Sequence, residues 1–240
     1  MFALNVFVNS PGLESIKADL IFYYPEIKSS HRCEALARGL GFRTYASLLA
    51  QLQTAGDVSA SASGAKFGSY LKEHGFDAKP DSFYWAVARL AIAAVMRQEP
   101  KLTSWGYGIG PRERNDDGTR VSSDEHQHKF DLCRKELLGD AEEFLQALSF
   151  LSRLHSAKNI STAANSYSLK HMAEEDDGIY PDGETINTNY VSNGALIAAA
   201  IHSGYRYRTH RDGLGGTSLN VSFNMPTRLV HNLDRQIRGR

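Results

Sequence analysis

The segment from Tyr190 to Tyr205 constrains the fold more than any other, because it reads YVSNGALIAAAIHSGY and has no polar face. Ser192 is a favourable N-cap residue. Gly204 is of the residue type that most often ends a helix, because glycine readily adopts the left-handed backbone conformation needed there. A helix that is apolar on every side is buried in a domain, and this one is too short to span a bilayer. We therefore expect it to be the central helix of the C-terminal half.

After this helix the hydrophobic period changes from 3.6 to 2 residues. Apolar or aromatic residues alternate with polar ones on both sides of the glycine-rich run RDGLGGTS, which predicts an antiparallel hairpin over Tyr205–Asn224. Most of the remaining chain has helical periodicity. The sequence thus predicts a mostly helical α+β fold, with a helical N-terminal lobe and a C-terminal lobe that combines the alanine-rich helix with a small hairpin.

The stretch Gly56–Gly64, GDVSASASG, is small and polar and is the best candidate for a linker in the 240 residues. It predicts a helical hairpin lobe over residues 1–55 and a main helical α+β domain over residues 65–240.

A compact pair of helices is predicted over Ser30–Gln53, with Gly41 in the turn. Such a hairpin raises the possibility of a DNA-reading helix-turn-helix. However, Ser47 stands where an apolar anchor is expected, and Arg43 is the one basic residue near the start of the second helix, so little is available to hold phosphates. We favour a structural hairpin and keep a DNA-binding regulator as the alternative, with Arg43, Thr44 and Tyr45 as its contact residues.

No catalytic or metal-binding signature is visible. The two histidines of Glu125–His128 are two positions apart and face different sides of a helix, as do His31 and Cys33. The glycines of Trp105–Gly110 are not followed by the Lys-Ser/Thr pair of a phosphate-binding loop. We therefore predict a non-enzymatic protein without a metal or cofactor.

Charge is distributed unevenly along a chain whose net charge is zero. Seven arginines and two aspartates lie between Tyr205 and Arg240, whereas Glu174–Glu184 holds six acidic residues and no Lys or Arg. Arginine suits planar, bidentate contacts. We predict a basic patch that meets the acidic surface of a protein partner, with nucleic acid as a secondary ligand; its residues are Tyr205, Arg206, Tyr207, Arg208, Arg211, Arg235 and Arg238. The alternative, a core face of tyrosines and a solvated face of arginines, stays open.

The two cysteines, Cys33 and Cys133, are far apart and lie in helical patterns, which is typical of a reduced protein. Neither a signal peptide nor a run of about 18 apolar residues is visible, so we expect a cytoplasmic protein without a membrane partner.

Two parts of the chain are similar to accessory proteins of plasmids and integrative mobile elements. The first is SHRCEALARGLGFRTYASL; the second is SYSLKHMAE followed by YVSNGALIAAAIHSGY and NVSFNM. This resemblance implies an anti-defence cargo protein, comparable to an anti-CRISPR protein, that inhibits a host CRISPR or restriction complex by binding a protein subunit.

Overall fold

The computed structural model describes residues 2–114, 116–211 and 216–239. Across these ranges it contains ten helices and three small antiparallel strand pairs, so the predicted mostly helical α+β fold is confirmed. The chain divides into two compact units, and each is described by itself. None of the described helices combines the length and the apolar character that crossing a membrane requires.

Unit 1 comprises Met1–Ala91 together with Ile179–Glu184. Its elements are β1 (Asn5–Val8), α1 (Ser10–Tyr23), α2 (Ser29–Gly39), α3 (Tyr45–Ala55), β2 (Val58–Ser61), α4 (Gly64–Glu73) and the first part of α5 (Asp81–Gln98).

Strand β2 lies inside the segment predicted as a linker. It pairs with β1 in antiparallel register, with Val6 opposite Ala60 and Val8 opposite Val58. These four side chains are buried while the alternate ones are exposed, as a half-buried strand pair requires. The proposed boundary between residues 55 and 65 stays a prediction, which limited proteolysis would test.

Aromatic rings fill the core of unit 1. The Phe67 ring stacks on Phe83 with 4.7 Å between centroids, and Tyr84 stacks on Tyr180 at 5.2 Å. The Trp85 indole donates a hydrogen bond of 3.1 Å to the Tyr180 hydroxyl. The short segment around Tyr180 therefore completes the core that the first 91 residues build.

Unit 2 comprises Ile92–Gly178 and Thr185–Arg240. Besides the end of α5 it contains β3 (Leu102–Thr103), β4 (Gly106–Tyr107), α6 (Ser123–Gly139), α7 (Ala141–Leu151), α8 (Ser166–Glu174), α9 (Asn193–His202), β5 (Tyr207–Arg211), β6 (Thr217–Phe223) and α10 (Thr227–Arg238).

Helix α9 is the predicted apolar helix, and its end groups are as expected. The Ser192 hydroxyl accepts a hydrogen bond of 3.1 Å from the Ala195 amide, and Gly204 closes the other end with φ +82°. The helix packs against α7 and α8, and every residue from Ala195 to Ala200 is buried. Its position in the middle of unit 2 confirms the prediction of a central helix.

The predicted hairpin is also present. Strands β5 and β6 pair in antiparallel register, with Tyr207 opposite Phe223, and the register shifts between Thr209 and Arg211. The predicted glycine-rich connection includes residues 212–215, which lie outside the described residues. The other edge of β6 joins the segment before α8, because the Phe223 amide donates a hydrogen bond of 2.9 Å to the Ala164 carbonyl. This contact ties the hairpin to the helices that form the site described next.

Candidate functional site

The two tyrosines of the predicted basic patch pack inward. Tyr205 is buried, and its hydroxyl donates a hydrogen bond of 3.3 Å to the Leu151 carbonyl. Burial raises the pKa of Tyr205 to about 12. Tyr207 is half-buried, with its ring 5.8 Å from that of Tyr107. This placement favours the alternative in which the tyrosines belong to the core.

The arginines of the same prediction have different surroundings. Arg238 forms ion pairs with Glu175 at 2.9 Å and with Asp234 at 3.2 Å. Of the rest, Arg206 donates to the Lys158 carbonyl, Arg235 donates to the Asn232 side chain, and Arg208 and Arg211 are exposed without a polar partner in the described part of the chain. Within the described residues, Arg208 and Arg211 are thus the arginines of this set whose guanidinium groups make no polar contact.

The residues of the DNA-binding alternative are partly engaged within unit 1. Thr44 caps α3 by accepting a hydrogen bond of 3.1 Å from the Ser47 amide, and the Tyr45 amide donates to Glu34 at 3.1 Å. Arg43 is exposed. Helix α3 itself contains no Lys or Arg, and of the three residues Arg43 is the one whose side chain has no polar partner within the described part of the chain.

The most chemically distinctive place in the described residues is a cavity of about 580 Å³ in unit 2, which we call the acidic cavity. It lies at the N-terminus of α9. Its walls come from the turn after β3, from α6 and α7, from α8 and from β6; the lining residues are Ser104, Trp105, Glu136, Asp140, Glu143, Tyr167, Lys170, Tyr190, Ser192, Asn193, Leu219 and Asn220.

Two carboxylates at the start of α7 meet Ser192 in this cavity. The Ser192 hydroxyl donates a hydrogen bond of 2.8 Å to Asp140 Oδ2, and the Ser192 amide donates one of 2.7 Å to Glu143 Oε2. Burial, reinforced by the charge of Glu143, raises the pKa of Asp140 to about 7, although the bond from Ser192 opposes the shift. Burial also raises the pKa of Glu143. Both carboxylates thus lack enough positive charge to offset their burial.

A neighbouring carboxylate shows the opposite behaviour. Glu174 accepts hydrogen bonds from the Lys170 ammonium at 2.9 Å, from His171 at 2.6 Å and from the Val191 amide at 3.2 Å. Although burial alone raises the pKa of Glu174, these donors outweigh burial and lower it. Lys170 therefore compensates Glu174 mainly, and Asp140 and Glu143 have no such partner of their own among the described residues.

Asn193 adds an unpaired acceptor. Its side-chain nitrogen lies 3.1 Å from each of three oxygens, the carbonyls of Trp105 and Leu219 and the side chain of Asn220. Backbone carbonyls only accept hydrogen bonds, which fixes the orientation of the amide. Its Oδ1 is buried and has no hydrogen-bond partner in the described structure, and the residue is only 7% exposed. A buried acceptor of this kind costs stability unless a donor reaches it.

Close packing holds Asn193 in place. A methyl group on Gly194 would overlap the Thr103 carbonyl, and the Gly194 amide donates a hydrogen bond of 2.9 Å to the Ser104 carbonyl. The start of α9 is therefore pressed against the β3–β4 turn, and the cavity wall has a fixed shape.

Three exposed aromatic rings contribute to the same lining. Trp105 is 41%, Tyr167 is 52% and Tyr190 is 57% exposed. The Lys170 ammonium lies 5.0 Å from the centroid of Tyr190 and 5.7 Å from that of Tyr167. The rings of Tyr167 and Tyr190 thus already contact a positive charge.

Most of the charged groups that line the cavity are hydrogen-bond acceptors. Three carboxylates, from Glu136, Asp140 and Glu143, face one ammonium group, that of Lys170, in the lining. Within the described ranges, no three His, Cys, Asp or Glu side chains are grouped so as to hold a metal ion. The excess of carboxylates in the lining suits an organic group that donates hydrogen bonds and carries positive charge.

Sequence reasoning did not single out these residues. Acidic side chains at a helix start are expected from the helix dipole, so Asp140 and Glu143 carried no special signal. The C-terminal segments on which the expected resemblance rests do contain half of the cavity lining: Tyr167, Lys170, Tyr190, Ser192, Asn193 and Asn220.

Comparison of the chain with protein-family models, with curated proteins and with solved structures finds no match.

Proposed function

We propose that this is a non-enzymatic binding protein whose acidic cavity receives a cationic side chain, lysine or arginine, from a protein partner. The observation that carries this proposal is the set of uncompensated acceptors at the start of α9. Three carboxylates, from Glu136, Asp140 and Glu143, line the cavity with one ammonium group, that of Lys170, and burial raises the pKa of Asp140 and of Glu143. A cation that donates hydrogen bonds supplies the positive charge and the hydrogen-bond donors that these carboxylates lack.

The exposed rings favour a side chain that belongs to a macromolecule. Trp105, Tyr167 and Tyr190 surround a cavity of drug-like size, and exposed Trp and Tyr residues are enriched at the centres of protein interfaces. The aliphatic stem of Lys or Arg packs well against such rings while its charged end reaches the carboxylates.

The resemblance to mobile-element accessory proteins supports a choice of partner. The C-terminal segments of this chain that carry the resemblance contain half of the cavity lining. We therefore propose that the partner is a subunit of a host defence complex of CRISPR or restriction type, and that binding inhibits this complex in the cytoplasm. Arg208 and Arg211 offer a second contact to an acidic region of the same partner. A DNA-binding regulator that uses Arg43 remains the alternative.

A direct test measures the binding of Nα-acetyl-lysine amide and Nα-acetyl-arginine amide by NMR titration, with Nα-acetyl-norleucine amide as the uncharged control. We expect a Kd in the range of about 1 mM for the cationic probes and none detectable for the control. Glu143→Gln should weaken binding by about tenfold. Asp131→Asn removes the same charge from an exposed position of α6 outside the cavity lining and should leave it unchanged.

The affinity should be higher at pH 8 than at pH 6. Asp140 is largely protonated at pH 6, because its pKa is about 7, and a cation prefers the ionised form. Equal binding of the norleucine probe, or a Glu143→Gln variant that binds the cations normally, would contradict the proposal.

The partner itself is sought by affinity capture from a bacterial lysate, with and without nuclease. A protein that is retained after nuclease treatment, and lost with Glu143→Gln but not with Asp131→Asn, supports the proposed function. Capture that disappears with nuclease favours the DNA-binding alternative.

A further inference from the structure

Unit 1 contains a second cavity of opposite charge, which we call the basic cleft. It has a volume of about 530 Å³ and lies where the end of α2 and the following turn meet α4. Three cations, from Arg38, Arg43 and Lys66, line it together with a single carboxylate, Glu73. The three cationic side chains are exposed, and none of them has an ion-pair or hydrogen-bond partner within the described part of the chain.

Backbone geometry fixes the positions from which these three side chains extend. Gly41 has φ +89°, a left-handed conformation that a side chain would strain, and it turns the chain sharply after α2. The Phe42 amide then donates a hydrogen bond of 2.8 Å to the Ala37 carbonyl. This closed turn brings Arg43 beside Arg38, at the end of α2.

The third cation is attached to the same framework. The Ser63 amide donates a hydrogen bond of 2.8 Å to the Gly39 carbonyl, which joins the start of α4 to the end of α2. Ser63 caps α4 by accepting from the Lys66 amide at 3.3 Å, so Lys66 lies in the first turn. The positive end of the α4 dipole and the negative end of the α2 dipole both lie at the cleft, so its net positive charge comes from the side chains.

Two aromatic rings complete the cleft. Phe42 and Tyr70 are half-buried members of its lining. The Tyr70 ring is stacked on His74 with 4.2 Å between centroids, and this contact holds its plane. Guanidinium and ammonium groups beside flat aromatic faces are the features that bind phosphates and bases together.

We propose that the basic cleft binds the phosphate groups of a nucleotide ligand, either a free nucleotide or a nucleotide of a single-stranded nucleic acid. The volume fits a ligand of nucleotide size. Reading of duplex DNA through the second helix of the hairpin is not the mode that the charges favour, because α3 has no cation and the cations lie between α2 and α4. This site is in unit 1 and does not depend on the proposed function of the acidic cavity.

The test uses fluorescence anisotropy of the 240-residue chain with a fluorescein-labelled oligo(dT) of 15 nucleotides and, separately, with a labelled ATP analogue, at 50 mM and 200 mM salt. We compare Arg38→Gln/Arg43→Gln with Lys72→Gln, which removes a charge from an exposed position of α4 outside the cleft lining. Circular dichroism confirms that each variant is folded.

For at least one of the two probes we expect binding that weakens as salt rises. The double variant should bind that probe at least tenfold more weakly. The slope of log affinity against log salt concentration should decrease by the equivalent of about one to two phosphate contacts, while Lys72→Gln binds normally. Competition of the bound probe by unlabelled ATP identifies a free nucleotide as the ligand, and binding of the oligonucleotide that ATP does not displace identifies a strand. The proposal is overturned if neither probe binds at 50 mM salt, or if the folded double variant binds as tightly as the wild type.

Discussion

The Ser192 hydroxyl donates a hydrogen bond of 2.8 Å to the Asp140 carboxylate, although the two residues are 52 positions apart in the chain. The same oxygen caps α9 by accepting from the Ala195 amide. One hydroxyl group thus caps the most apolar helix of unit 2 and also holds a carboxylate of the acidic cavity by a hydrogen bond.

Ser192→Ala should therefore destabilise the protein by roughly 1 to 2 kcal/mol, because it removes the cap and the donor together. It should also move the pKa of Asp140 above its wild-type value, since the bond from Ser192 lowers that pKa. Urea denaturation measures the first effect and an NMR titration of the carboxyl the second. Ser168→Ala, at an exposed position of α8, is the control and should change stability by less than about 0.5 kcal/mol.

Asp140→Asn should change how stability depends on pH. The pKa of Asp140 is about 7 in the folded protein and 3.8 in its ordinary state, so between these values the folded state binds more protons than the unfolded state. The free energy of unfolding that Asp140 contributes therefore falls as pH rises from about 4 to about 7. Asparagine removes this loss.

We expect the stability of Asp140→Asn relative to wild type to be greater at pH 8 than at pH 5 by about 2 kcal/mol. Urea denaturation at the two pH values measures the difference, with Asp131→Asn as the matched control. A relative stability that is the same at both values would mean that the Asp140 carboxyl titrates normally.

Gly194→Ala should be strongly destabilising. The added methyl group overlaps the Thr103 carbonyl, and a backbone atom cannot move aside as a flexible side chain can. We expect a loss of about 2 to 3 kcal/mol, the upper part of the range for overpacking. Gly139→Ala is the control, because a methyl group there meets nothing within 4 Å and should stabilise α6 slightly. Equal melting temperatures for the two variants would show that the start of α9 is not pressed against the β3–β4 turn.

Ala198→Leu and Ala199→Leu should each cost roughly 1 to 3 kcal/mol, because both alanines are fully buried in a helix that packs closely on its neighbours. Thermal unfolding measures the loss. Ala46→Leu, at an exposed position of α3, should leave the melting temperature nearly unchanged. If the double variant at 198 and 199 melts with the wild type, α9 is not a tightly packed helix.

The elements that sequence reasoning predicted are those defined by local patterns. The apolar run after Ser192, its glycine stop at Gly204 and the alternation on both sides of the hairpin depend on neighbouring residues, so a single sequence reveals them. Strand β2 is different, because its small residues gain their alternation of burial only by pairing with β1.

The candidate site could not be predicted in the same way. Asp140, Glu143 and Asn193 each occupy the start of a helix, where polar residues are expected for local reasons. Their chemistry arises from burial and from the shortage of donors around them, and both depend on tertiary packing. The uneven charge along the chain indicated the arginines instead. Two of these, Arg206 and Arg238, contact a carbonyl and a carboxylate group within unit 2.

The inclusion of Ile179–Glu184 in unit 1 has a consequence for the order of events during translation. The ring of Tyr180 covers Tyr84, so the core begun by the first 91 residues stays open while the ribosome makes most of the remaining helices. At about 5 to 20 residues per second, Tyr180 is synthesised on the order of 5 to 20 seconds after residue 91. We expect a nascent chain to lack the ring that covers Tyr84 during this time, and a polypeptide that ends at residue 91 would lack it permanently.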